Sequence, residues 1–88
     1  MYLPELKLRI DFLTEAFQGE TIMITSESDE NMIRFTAVRG SRRTELAHLD
    51  LTDGEMWIRI DEVNRKMLPQ VQQTIQEGRF SNLEIDDE

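Results

Sequence analysis

The chain contains no cysteine. That excludes a disulfide framework and thiolate metal sites, and it suits a reducing compartment. Histidine, tryptophan and tyrosine occur once each, and proline only twice. A metal site needs several converging ligands, and an activated nucleophile needs a base beside it in the fold. With one histidine, His48, neither arrangement is visible. No apolar run approaches the roughly 20 residues of a membrane span. The opening "MYLPELKLRIDF" has no basic segment followed by a long apolar one, so no signal peptide is expected. The phosphate-cradling patterns GxxxxGK and GxGxxG are also missing. No enzymatic activity, no cofactor, no membrane association and a cytoplasmic location are the resulting expectations.

Basic residues are outnumbered, with 10 Lys and Arg against 18 Asp and Glu, for a net charge of −8. Four of those acids, Glu84, Asp86, Asp87 and Glu88, lie in the last five residues. Residues 82–88 therefore read as a flexible acidic tail on a single domain spanning 1–81. A second acidic cluster, Glu27, Asp29 and Glu30, falls in the polar stretch "SESDEN". Against it, Arg34, Arg39, Arg42 and Arg43 place four of the ten basic residues within ten positions. A hydrophobic content of 39% over 88 residues is enough for one modest core.

The clearest element is an N-terminal helix. Pro4 suits the first helical position and Gly19 the C-terminal cap. Between them Leu6, Ile10, Leu13 and Phe17 recur at helical spacing. Leu8, Phe12 and Ala16 form a second stripe, roughly 140° away at about 100° per residue. A surface helix ordinarily carries one stripe. The second is a candidate protein interface, and a symmetric homodimer is the commonest contact of that kind.

Three strands follow. Ile22 and Ile24 alternate with Thr21, Met23 and Thr25; Ile33, Phe35 and Ala37 alternate with Met32, Arg34 and Thr36; Ala47, Leu49 and Leu51 alternate with Leu46, His48 and Asp50. The intervening segments are of turn type, and a three-stranded antiparallel meander is expected.

"LDLTDGEMWIRI", residues 49–60, fits two structures. Asp53-Gly54 between apolar runs signals a hairpin leading to a fourth strand at 56–60. Thr52-x-x-Glu55 is a capping box worth about 1 kcal/mol. It is followed by Met56, Ile60, Val63, Met67, Val71 and Ile75 at helical spacing. Glu55–Arg59, Asp61–Arg65 and Glu62–Lys66 add acid-to-base pairs at i,i+4, each worth about 0.2–0.5 kcal/mol. The helix is preferred over 53–67, kinked or split at Leu68-Pro69 because Pro69 lacks an N–H, and continuing to Gly78. The expected fold is α+β in the order α-β-β-β-α.

That element order resembles the double-stranded RNA-binding domains. The family reads phosphate through a basic second helix and a glycine–lysine motif. Here the corresponding helix carries Asp53, Glu55, Asp61 and Glu62, and the motif is absent, so the resemblance is one of topology. Asp50, Asp53 and Glu55 do not follow EF-hand spacing. The expected function is that of a small acidic, non-enzymatic interaction module, an adaptor or inhibitor meeting a basic protein surface. Its contacts would come from Leu8, Phe12 and Ala16, and from the charges of Glu27, Asp29, Glu30, Arg39, Arg42 and Arg43. The alternative is a nucleic-acid-binding protein using the Arg34–Arg43 hairpin.

Overall fold

A computed structural model of the chain describes residues 3–27, 30–80 and 82–87; the side chain of Glu27 is outside that set. Helix α1 runs Leu3–Ala16, followed by strands β1 Ile22–Glu27, β2 Met32–Arg39, β3 Arg42–Asp50 and β4 Met56–Ile60. A 3-10 turn at Arg65–Met67 leads into α2, Leu68–Gln76, and the chain closes with β5, Leu83–Asp87. The five strands form one sheet in sequence order. Neighbours from β1 to β4 are antiparallel, whereas β5 lies parallel to β4. A parallel neighbour needs a crossover, and the 3-10 turn and α2 supply it. No helix among the described residues is long and apolar enough to cross a membrane.

Two expectations are corrected here. Residues 56–60 are the fourth strand and not part of a helix, and the supposed tail contains the fifth strand. The resemblance in element order to double-stranded RNA-binding domains ends with them. The segment before β4 is a five-residue loop whose groups satisfy one another. Asp50 N–H donates to Glu55 C=O and Gly54 N–H to Asp50 C=O. The carboxylates of Asp50 and Asp53 accept from the N–H groups of Thr52 and Glu55. These are Asx turns, so acids that suit the start of a helix serve a hairpin instead. Gly54 has φ +80°, and its carbonyl accepts from Arg9 Nε at 3.2 Å. Gly54→Ala is expected to cost about 2 kcal/mol through left-handed backbone strain. A cross-check is the denaturant midpoint, which should fall while the slope stays constant.

The acid-to-base spacing also finds other uses. The Asp61 carboxylate accepts from the N–H groups of Val63 and Asn64, and Asn64 Oδ1 accepts from Asp61 N–H at 2.7 Å. This reciprocal pair ends β4. Arg65 meets Asp87 on β5 at 2.7 Å. Pro69 lies at the start of α2, where its missing N–H costs nothing, so it begins a helix and does not kink one.

Side chains of Phe35, Ala37, Ala47, Leu49, Met56, Ile58 and Ile60 are buried along one face of the sheet. Phe12 and Leu13 of α1 and Phe17 just after it, with Met67 and Val71, close over it. A bulge between Phe35 and Thr36 of β2 leaves Leu46 as an extra residue on β3. Strict alternation would put Leu46 opposite Ala47; the bulge turns both inward, and both are fully buried.

Candidate interaction surfaces

The α1 stripe is divided by the fold. Leu8 is exposed and Ala16 half-buried, but Phe12 is 4% exposed. Its ring centroid lies 5.2 Å from that of Phe80, which follows α2. The chain thus covers the middle of this stripe itself, burying a side chain worth about 1.5–3 kcal/mol. Leu8, Phe12 and Ala16 do not form one exposed face.

The arginine-rich hairpin is distributed rather than concentrated. Its tip, Gly40-Ser41, is a two-residue turn with Gly40 at φ +63°, as a type II′ turn requires. Arg34 lies five residues from Arg39 along β2, about 16 Å at strand rise. An odd separation puts them on opposite faces. Arg34 Nη1 donates to Glu45 at 2.9 Å, and Arg34 also pairs with Glu30. Arg39 bridges Glu20 at 2.8 Å and Asp61 at 2.6 Å. Those two carboxylates hold the Arg39 guanidinium well above its usual range, the hydrogen bond it donates to Glu20 first. Burial pulls the Asp61 carboxyl upward, but Arg39 and the N–H groups of Asn64 and Val63 outweigh it, and the net shift is downward. Only Arg42 and Arg43 of the four are exposed. A neighbouring cleft of about 340 Å3 mixes Arg39, Arg42 and Arg59 with Asp61 and Glu62 in its wall, so it presents no surface of one sign. Glu30 is exposed; Asp29 and the Glu27 side chain lie outside the described residues.

The sheet face away from the helices carries a different constellation. Register makes Arg34, His48, Trp57 and Glu84 successive cross-strand neighbours on β2, β3, β4 and β5. The His48 and Trp57 rings stack, with centroids 5.0 Å apart and planes 18° from parallel. The Arg59 guanidinium sits 5.1 Å from the Trp57 ring centroid, a cation–π distance. Glu45 joins the row from the side, meeting His48 Nδ1 at 3.1 Å as well as Arg34. Burial would raise the Glu45 carboxyl, but the hydrogen bonds from His48 and Arg34 prevail and hold it below the usual range. Asp50, Glu84 and Asp86 fall on this same face by register. His48 and Trp57 come together only once 56–60 is paired with β3, so reading that segment as helix hides the cluster.

Among the described residues no group of three His, Asp or Glu side chains is placed to hold a metal. Compared with known protein families, curated proteins and solved structures, the chain matches none.

Proposed function

We propose that the protein is a non-enzymatic interaction module that meets a basic protein surface through the open face of its sheet. One observation carries this reading: the Arg34–His48–Trp57–Glu84 row lies on a sheet face that no described element covers. Trp and Arg are the side chains most often found at the energetic centre of protein interfaces. Here the tryptophan is held flat by His48 and Arg59, so little ordering cost remains for binding. The border contributed by Asp50, Glu84 and Asp86, within a chain of net charge −8, is complementary to lysines and arginines on the other side.

The nucleic-acid alternative is weaker on the same geometry. Arg34 and Arg39 are engaged by carboxylates of this chain, and the acidic border repels phosphate.

Trp57→Ser is the decisive variant, because it removes the ring from the open face and leaves the core untouched. Wild-type protein used as bait in extract of its source cells should retain a partner protein whose binding weakens as salt rises. Trp57→Ser should reduce that retention about 30-fold, the effect of a 2 kcal/mol anchor. Equal retention by the variant would count against the face. Micromolar binding to single-stranded DNA or RNA, lost with Trp57, would favour the alternative.

A further inference from the structure

The two edges of the sheet are built differently. At the β5 edge, Glu84, Asp86 and Asp87 occupy three of five positions. Charged edges of this kind discourage strand pairing. At the β1 edge, Thr21 to Ser26 reads TIMITS, without a charge, a proline or a break in register. Val38 N–H donates to Thr21 C=O at 2.8 Å. In an antiparallel ladder that orients alternate residues towards β2, so the N–H and C=O groups of Ile22, Ile24 and Ser26 point outward. No described element pairs with them. Ile24 is 52% exposed although it belongs to the helix side of the sheet. Beside it a cleft of about 310 Å3 opens between α1 and the sheet, lined by Phe17, Ile22, Ile24 and Phe35 among others. Glu20 reaches the same cleft, and its Oε2 is buried with no hydrogen-bond partner among the described residues.

We propose that a second copy of this chain pairs with β1 in antiparallel fashion across a two-fold axis at Ile24, joining two sheets into one. The segment is its own complement in that register. Ile24 faces Ile24 of the second copy, and Ile22 faces Ser26, which satisfies about six outward backbone groups on each side. The two Ile24 side chains cover each other at the mouths of the two clefts. Glu27 falls opposite Thr21, so no like charges meet across the paired strands. The guarded β5 edge explains why the occupant is a single second copy: two-fold pairing consumes both open edges and closes, whereas β1-to-β5 stacking would continue indefinitely. The two-fold axis stands perpendicular to the sheet, so both Trp57 faces lie side by side. The pairing does not depend on what those faces bind.

Strand pairing alone falls short of the roughly 1,200 Å2 that a stable interface buries, so a dissociation constant of tens of micromolar is expected. Two bodies of charge −8 repel, and added salt screens that repulsion. Sedimentation velocity of the full chain from about 1 to 500 µM should therefore show a monomer–dimer shift, no larger species, and tighter association at 0.5 M than at 0.15 M NaCl. Ile24→Lys places a charge at the axis and should weaken the dimer at least tenfold with an unchanged circular dichroism spectrum. Leu8→Glu, on exposed α1 surface, should leave it intact. Amide exchange in the wild-type protein provides a reading free of mutation: Ile24 and Ser26 should gain protection as concentration rises. A monomer throughout the range at 0.5 M NaCl would overturn the proposal. So would a dimer that Leu8→Glu disrupts and Ile24→Lys does not, or exchange at Ile24 that ignores concentration.

Discussion

Deleting residues 82–88 is expected to lower the melting temperature by roughly 15–30 °C. Leu83 and Ile85 pack at the margin of the core. Met56 N–H donates to Asn82 C=O at 3.0 Å, and β5 pairs with β4 along its whole length. Losing two part-buried aliphatic side chains and one side of the ladder costs on the order of 4 kcal/mol. For a domain of this size each 1 kcal/mol shifts the midpoint by about 4–8 °C. One effect opposes this. The deletion also removes four carboxylates and takes the net charge from −8 to −4, which relieves self-repulsion. The double variant Leu83→Ser, Ile85→Ser keeps every acid and so separates the two terms. Burial dominates if the double variant melts well below wild type. A midpoint unchanged in both proteins would mean that β5 adds nothing to stability.

Arg39→Met should cost about 3 kcal/mol at neutral pH. The variant leaves Glu20 and Asp61, both mostly buried, facing each other with no cation between them. Removing one partner of a buried cluster strands the remaining charge, and that accounts for most of the loss. Arg39→Lys should recover only part of it, because a single ammonium cannot reproduce the fork that spans two carboxylates. The effect depends on pH. In the wild type the Asp61 carboxyl is held below its usual value. Its contribution is therefore present above the ordinary aspartate range, near pH 4, and is lost as pH falls through the lowered value. In Arg39→Met, protonation relieves the stranded carboxylates. The stability gap between the two proteins should narrow as pH is lowered from 7 towards 4. Urea titrations at several pH values check this; a gap independent of pH would show that lost packing of the arginine stem is the cause.

Elements defined by local signals were legible in the sequence. Pro4, Gly19 and the Leu6–Ile10–Leu13–Phe17 stripe bound α1 within a few residues, and β1 to β3 follow their alternation apart from the Leu46 bulge. The segment 56–60 was ambiguous for a definite reason. Met56 and Ile60 are four apart, which suits one helical face and one strand face equally. Ile58 alone separates the two, since it is apolar in a strand and misplaced on a helix. Local terms worth a few tenths of a kcal/mol per ion pair favoured the helix. Complete burial of Met56, Ile58 and Ile60 against the sheet outweighs them. β5 was illegible because its partner is remote: Ile85 pairs with Ile58, and the acids around it look like a solvated end until Arg65 is seen opposite Asp87. The open-face row inherits that difficulty, since it exists only through the registers of β3, β4 and β5.

The stack of His48 on Trp57 also fixes what the protein's own fluorescence can report. The only indole in the chain is Trp57, and it lies on the sheet surface, half-buried, not in the core. The ring is flanked by the stacked His48 imidazole and the Arg59 guanidinium. Docking on the open face should shift the indole emission to the blue and change its quenching by His48. Strand pairing at β1, three strands away, should leave it unaltered, so a single optical titration tells the two events apart.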